Sequence, residues 1–351
     1  MEQSKIAVLI CSNVIGGHEY QSGELVRDLM QFADVTVYVN RDEHQPIFLE
    51  LGAKVISLPQ QLLQPGKLPS YVWNGLRKRH ELRKIIRGYN QIVVCAGAVE
   101  AGIAVSIALR GTAHLSMYLP FFFDRILIWG KVGHLYNAVL ARFCRLYDQI
   151  ITINRIQAKV IKNMTGVKTV IIPNVIRPVP VAPVLRNGKL LFIGRLDSQK
   201  RVDELLRWID FPSNPFKEII VIGDGPQRAI IEEVAATMKH VKVTFLGWLA
   251  AKEQDRVIDG NDVLILNSLL EGEPLVIRES NLRGIRVIAR DIIGVRGVTH
   301  RQQRFDSVNG LQEILKTLKL TRGHCPSFCS DKSTQASRFS SIEALVYRIH
   351  G

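Results

Sequence analysis

The sequence predicts an α/β protein made of two doubly wound domains in tandem, and three observations predict it. Short runs rich in β-branched residues alternate with longer segments of helical period, a proline-rich stretch interrupts the alternation near the middle, and the alternation then restarts. In the first half the β-rich runs are KIAVLICS, DVTVYVN, AKVISLP, NQIVVCAG, AHLSMYL, DQIITIN and KTVIIPN. Between them lie segments such as GELVRDLMQFA and LRKRHELRKIIRG, whose apolar residues fall at helical spacing. Such alternation specifies parallel strands with helices on both faces. The interruption is PNVIRPVPVAPVLRNGK, where Pro173, Pro178, Pro180 and Pro183 favour a stiff extended connector over a sheet strand. Beyond it KLLFIGR, EIIVIGDG, KVTFLG, DVLILNS and IRVIAR resume the pattern.

These breaks divide the chain into an amino-terminal domain over 1–173, a connector over 174–188, a second domain over 189–319 and a tail over 320–351. The tail is polar and turn-rich until IEALVYRIHG, an amphipathic helix expected to pack back on a domain. Two doubly wound domains present the carboxyl ends of their strands to a central cleft, where ligands of this architecture bind.

With 47% hydrophobic and 22% charged residues, the 351-residue chain has the balance of a folded globular protein. Its formal charge of +14 points to an anionic partner, for which nucleic acid, acidic lipid and phosphorylated small molecules compete. No nucleic-acid-binding module is visible, so nucleic acid is not expected. MEQSKIAVLICSN reads as a first strand, not a signal peptide. The apolar neighbourhoods AGAVEAGIAVSIALRG and YLPFFFDRILIWG are interrupted by Glu100, Asp124 and Arg125, short of the ~18 residues that a spanning helix needs. A soluble or peripheral protein of the cytoplasm follows. Cys11, Cys95 and Cys144 lie inside apolar segments, as expected of reduced thiols. His324, Cys325 and Cys329 lack a fourth ligand at a convincing spacing, so no metal is expected there.

Four stretches carry residues with chemistry. In EGEPLVIRES, Glu271 and Glu279 flank Pro274, which places Glu271 on a loop and Glu279 in the second turn of a helix starting near the proline. Both acids can then face one crevice. In GRLDSQKR, Arg195 and Lys200 bracket a helix entry, where cations oppose the helix dipole. They are either solvated surface charges or a clamp on a diphosphate. In NVIGGHEYQSGEL, Gly16 and Gly17 link the first strand and helix, either as a tight turn or to let backbone approach a phosphate. VIGDGPQR has Gly223 and Gly225 but Arg228 where a dinucleotide fingerprint needs its third glycine, so a dehydrogenase is disfavoured.

Taken together, FIGRLDSQKRVDELL, VIGDGPQR, VTFLGWL and EGEPLVIRESNLRGIRVIA resemble the family-4 glycosyltransferases, retaining enzymes of GT-B architecture with two Rossmann-like domains. The resemblance spans the chain in outline, is specific from about residue 170 to 300, and implies that 1–173 is the acceptor-side domain and 189–319 the nucleotide-sugar-binding domain. It implies that Glu279 binds the ribose of a nucleotide sugar, that Glu271 lies beside the sugar and diphosphate, and that Arg195 and Lys200 hold the diphosphate. It further implies donor contacts from Gly16, Gly17, Gly223 and Trp248. The catalytic set is then Arg195, Lys200 and Glu271. The family also tends to place a histidine near the donor sugar, for which His18 and His114 are the candidates. The chain departs from the pattern at Glu273, Pro274 and Arg201. Because proline has no N–H, helix-terminus contacts fall to Leu275 and Val276. No D-x-D sequence occurs, so a metal-independent enzyme without cofactor is expected, with protein cations in the role of the divalent ion.

The remaining basic signal is LRKRHELRKIIRG, over 76–87. It reads as one helix with Arg77, Lys78, Arg79, Arg83, Lys84 and Arg87 on one side and Leu76, Leu82, Ile85 and Ile86 on the other. Such a helix serves either as a solvated face or as a dock on anionic lipid. The expectation is therefore a retaining hexosyltransferase, cytoplasmic and peripheral at the inner membrane face, acting on a saccharide or lipid-linked acceptor in lipopolysaccharide or other surface-polysaccharide assembly. The alternatives are a nucleotide-sugar epimerase, which would turn over donor without acceptor, and a non-catalytic nucleotide-sugar or polyanion binder, which would never consume it.

Overall fold

Each β-rich run forms a parallel strand in the computed structural model, which describes residues 4–12, 16–59, 68–122, 124–176, 179–183, 188–260, 262–318 and 332–347. The chain divides into two units, Met1–Val175 with Lys332–Gly351, and Ile176–Asp331. In unit 1 the order is β1 (Lys5–Ile10), α1 (Gly17–Leu29), β2 (Asp34–Val39), α2 (Gln45–Leu49), β3 (Lys54–Ser57), α3 (Leu68–Arg77), α4 (Arg79–Ile85) and β4 (Gln91–Cys95). There follow α5 (Val99–Leu109), β5 (His114–Tyr118), α6 (Ile126–Trp129), α7 (Lys131–Cys144), β6 (Gln149–Thr152), α8 (Arg155–Thr165) and β7 (Thr169–Ile171). Unit 2 holds β8 (Leu190–Ile193), α9 (Val202–Ile209), β9 (Glu218–Ile222), α10 (Arg228–Thr237), β10 (Lys242–Gly247), α11 (Ala251–Val257) and β11 (Val263–Leu266). It continues through α12 (Leu275–Arg283), β12 (Arg286–Arg290), α13 (Ile293–Arg296), β13 (Arg304–Phe305) and α14 (Val308–Thr317). A last helix, α15 (Lys332–Tyr347), belongs to unit 1.

The sheet of unit 1 runs β3-β2-β1-β4-β5-β6-β7 and that of unit 2 runs β10-β9-β8-β11-β12-β13. Alternate residues of β1 and β4 feed opposite cores: Ala7, Leu9, Ile92 and Val94 one, Ile6, Val8, Ile10 and Val93 the other. Both faces are covered, which is why these strands read as unbroken apolar runs. In unit 2, Leu190, Leu191, Ile219 and Leu264 are fully buried in a single core cluster. Burial pushes the Cys95 and Cys144 thiols up to about 12, and raises Cys11 as well, so these three free cysteines are packing groups.

The proline-rich connector is held by hydrogen bonds at Val175, Ala182 and Pro183. Val175 exchanges hydrogen bonds with the Gln21 side chain, both at 2.8 Å, while the Ala182 N–H donates to the Arg283 carbonyl (3.0 Å) and the Pro183 carbonyl accepts from Gly260 (2.7 Å). Two expectations need correction. The basic helix is two helices, because Lys78 (φ −93°, ψ 4°) breaks α3 from α4. Leu76 is 57% exposed, and Arg83 is not available to a membrane: its Nε and Nη2 donate to the carbonyls of Ala108 (2.8 Å) and Arg110 (3.0 Å) at the end of α5. The terminal helix starts at Lys332, ten residues before IEALVYRIHG, since no glycine or proline interrupts the intervening polar segment. The thirteenth strand was not expected, and His324, Cys325 and Cys329 lie outside the described residues.

Candidate functional site

Both sheets reverse their strand order beside their first strand, β1 lying between β2 and β4 and β8 between β9 and β11. At such a switch point the connections leave in opposite directions and open a crevice at the carboxyl ends of the strands. The unit 2 crevice collects most of the expected residues. Arg195 and Lys200 follow β8, Glu271 follows β11, and Lys200 Nζ lies 2.5 Å from Glu271 Oε1 across the switch point. This pair is largely shielded, with 18% and 10% of the two side chains exposed.

Asp197 organises the turn. Its Oδ1 accepts from the backbone N–H groups of Gln199 (3.1 Å) and Lys200 (3.2 Å), and its Oδ2 takes Arg195 Nε at 2.7 Å. The turn is stitched to the β11 loop by Gln199, whose Nε2 donates to the Leu270 carbonyl (2.7 Å) and whose own carbonyl accepts from Leu269 (2.8 Å). Each expected cation thus has a carboxylate partner, and the four formal charges sum to zero. Asp197 and Gln199 were not singled out from the sequence, although an aspartate two residues before an unpaired N–H is a turn signal.

Arg201 follows with φ 51° and ψ 45°, the single left-handed non-glycine residue described. That conformation explains why a glycine suits this position, since an L side chain there costs about 1–2 kcal/mol. Arg201 offsets part of the cost through Glu204 (3.0 Å), itself held by Asn267 Nδ2 (2.7 Å) and Arg290 Nη1 (3.2 Å). Arg201→Gly is expected to raise the unfolding free energy by up to about 1 kcal/mol, after allowance for glycine's greater chain entropy. Urea titration checks this; a loss of stability would mean that the ion pair outweighs the strain.

Glu279 lies in the second turn of α12, with Arg283 Nη1 3.9 Å behind it, and Arg283, 1% exposed, is anchored by Asp255 Oδ1 at 2.6 Å. Pro274 is the N-cap rather than the first helical residue, which leaves the N–H groups of Leu275 and Val276 at the helix start without intrahelical acceptors. Glu273 turns inward and pairs with Arg278, its side chain 6% exposed. Gly223 ends β9 and is required by packing: a Cβ there would fall 1.9 Å from the Gly194 carbonyl oxygen. Its N–H donates to the Gly247 carbonyl at 2.7 Å. Trp248, 67% exposed, follows the edge strand β10, two strands from β8. It is not brought beside Lys200 and Glu271.

In unit 1, Gly16 and Gly17 begin α1 at the switch point between β1 and β4, and His18 stacks on Tyr118 at the end of β5, with ring centroids 5.4 Å apart. Gly97, after β4, faces the same ring. Both ring nitrogens are buried. Burial, the largest influence, pulls the imidazole below the usual histidine range, against the opposing Glu19 charge and Cys95 carbonyl. A neutral ring is favoured. His114 is corrected: it opens β5, at the amino ends of the strands, with Nδ1 3.7 Å from Asp148. Strand polarity puts it at the opposite edge from His18. Among the described residues no cluster of three metal-ligating side chains occurs, and no helix is long and apolar enough to cross a membrane.

Comparison with known proteins fits this geometry. Residues 182–311 match the family described as glycosyl transferases group 1, a segment that holds Arg195, Lys200, Glu271 and Glu279. An uncharacterized 41.2 kDa protein in the cps region of Klebsiella pneumoniae is 29% identical over 157 residues, which cover 43% of this chain and 41% of that protein. The match therefore spans about two fifths of that curated relative. Among solved structures, the apo form of the lipopolysaccharide outer core galactosyltransferase WaaB aligns with a TM-score of 0.70 at 16% identity, over 98% of this chain and 99% of that one. Anabaena Alr3699/HepE in complex with UDP-glucose aligns at 0.67 and 16% identity, over 98% and 94%. A mutant of S. aureus TarM in complex with Fondaparinux, alpha-GlcNAc-glycerol and UDP aligns at 0.68 and 12% identity, over 99% and 100%. The chain has the GT-B fold, and the matched segment supports a group 1 glycosyltransferase.

Proposed function

We propose that this protein transfers a hexose, with retention and without a metal ion, from a nucleoside diphosphate sugar to a saccharide or lipid-linked acceptor in surface-polysaccharide assembly. The observation that carries this is the Lys200–Glu271 pair, with Arg195 beside it, at the switch point of the unit that matches the glycosyltransferase family. As the glycosidic bond breaks, negative charge grows on the departing diphosphate, and fixed cations with helix N–H groups lower that barrier. Lys200, Arg195 and the start of α12 supply such groups. A diphosphate would draw the two cations from Glu271 and Asp197, leaving Glu271 beside the reacting sugar. Glu279 accepts the ribose hydroxyls, for which an acceptor-only carboxylate is suited. The cps-region relative and the lipopolysaccharide galactosyltransferase favour the polysaccharide setting.

Two measurements test this. Nucleotide-sugar consumption should require acceptor and survive chelator, with the anomeric configuration retained in the product by NMR; an inverted product excludes the mechanism. Glu279→Gln should weaken donor binding by about 1–3 kcal/mol, the worth of hydrogen bonds to a charged group, with the melting temperature nearly unchanged. Unaltered donor affinity in calorimetry would take Glu279 out of the site.

The basicity fits a peripheral location at the inner membrane face. Arg77, Arg79, Lys84 and Arg87 are exposed, and Trp73 and Leu76 on α3 are more than half exposed. At about 1 kcal/mol for each cation near an anionic surface, replacing Arg79, Lys84 and Arg87 by Gln should cut affinity for phosphatidylserine vesicles roughly 100-fold. Co-sedimentation that is insensitive to the triple variant would mean a solvated face.

A further inference from the structure

Arg283 carries a buried charge that the donor contacts proposed above do not use. It lies in the last turn of α12, 1% exposed, and is the largest of the fully buried side chains among the described residues. A guanidinium taken out of water is strongly disfavoured unless it is paired, and an apolar residue of similar size is often the more stable choice. One edge of Arg283 is paired, with Nη2 2.6 Å from Asp255 Oδ1 of α11. Its Nε and Nη1 are buried and make no hydrogen bond among the described residues.

The carboxylate on that side is Glu279, four residues earlier and therefore on the same face of the helix. Its Oε2 lies 3.9 Å from Nη1, just beyond hydrogen-bond distance. Arg283 thus attracts the carboxylate by charge without taking up a lone pair of Oε2. The cation is itself fixed. Ile277 buries the same helix in the unit 2 core, Asn281 Nδ2 donates to the Val298 carbonyl (3.3 Å), and the Arg283 carbonyl accepts from the Ala182 N–H (3.0 Å). Gly284 then ends the helix in a left-handed conformation (φ 76°, ψ 16°). Asp255 and Glu279 reach solvent, at 23% and 18% exposed, with the cation buried between them.

We infer that Arg283 is a positioning residue of the donor site: it holds the Glu279 carboxylate in the orientation that accepts the ribose hydroxyls, and it does not touch the donor. This rests on the ribose role proposed above for Glu279. A glutamate held by nothing loses rotamer freedom when a ligand orders it. With Arg283 behind it, that ordering is complete before the donor arrives. The planar fork matters, since one edge serves Asp255 while the other faces Glu279, a division that the point charge of a lysine cannot reproduce.

Calorimetry on the full chain tests this. UDP, GDP, ADP and CDP are screened, and the tightest binder is compared with its 2′,3′-dideoxy counterpart, which lacks the ribose hydroxyls. Wild type should prefer the parent by roughly tenfold or more, the worth of hydrogen bonds to a charged group. Arg283→Met should lose roughly tenfold for the parent and nothing for the dideoxy form, so that the two bind alike. In a Glu279→Ala background Arg283→Met should bring no further loss, because residues that act as a unit are not additive. Arg283→Lys should recover part of the preference, since the charge returns without the fork. Melting curves identify a variant that fails to fold; Arg283→Lys then stands in for the Met variant, with a smaller loss confined to the parent. A merely structural Arg283 would weaken both nucleotides equally or neither. Either result overturns the inference, as does an additive loss in the Glu279→Ala background, and the donor reading stands if Glu279→Ala still abolishes the preference for the parent. Wild type that shows no such preference removes the ribose role of Glu279 and this inference with it. Failure of all four nucleoside diphosphates to bind wild type overturns the transferase proposal as well.

Discussion

Lys200→Ala is expected to lower nucleotide-sugar turnover by two to three orders of magnitude, the scale seen when one donor to a developing negative charge is removed. The reasoning starts from the neutral balance in unit 2: Lys200 faces Glu271 and Arg195 faces Asp197. Removing Lys200 takes away the less exposed of the two cations and leaves Glu271, 10% exposed, without its partner. The donor's negative diphosphate then meets a carboxylate instead of an ammonium. Lys200→Arg should recover part of the rate, since charge returns with altered geometry. Turnover by release of nucleoside diphosphate, with a melting curve for each variant, checks this. A folded Lys200→Ala protein within tenfold of wild type would remove Lys200 from the reaction.

The largest stability effect is expected at Arg338. Its Nε lies 2.6 Å from Asp28 Oδ2, its Nη1 donates to the Pro173 carbonyl, and the two side chains are 6% and 9% exposed. Arg338→Ala leaves a buried carboxylate without a counter-charge, at a cost of about 3–5 kcal/mol. Adding Asp28→Leu removes the orphaned charge and should recover most of that loss. Because the chain has two units, urea unfolding is expected in two steps, and the step belonging to unit 1 should move while the other stays. If both steps moved equally, the ion pair would not be local to unit 1.

Much of the fold was legible because parallel strands buried on both faces must be apolar throughout, and runs such as NQIVVCAG and DVLILNS have that character. The two-residue strand Arg304–Phe305 carries no period to read. The helix break at Lys78 was hidden because it uses neither glycine nor proline. For the site, residue types were legible and pairings were not. Arg195, Lys200 and Glu271 stood out, but the aspartate in GRLDSQKR, a turn signal by its type, gave no sign that it would also hold Arg195. Between His18 and His114 only strand polarity decides, since composition is blind to which end of a strand a residue occupies. Glu100 and Arg125 stood in the sequence merely as charges interrupting apolar runs; twenty-five residues apart, they become partners only once β4 and β5 lie side by side.

Unit 2 is an insertion in unit 1, whose sheet is followed by the whole of unit 2 before α15 returns with Ile342, Leu345 and Val346, all at most 3% exposed in the unit 1 core. During synthesis, then, the first unit to emerge is the last to be finished. At about 5–20 residues per second it waits on the order of 10 s with an apolar gap between α1 and β7 where α15 will lie, while unit 2 folds. Until α15 arrives, the apolar residues that it will cover remain open to water, and the translation rate through unit 2 sets how long.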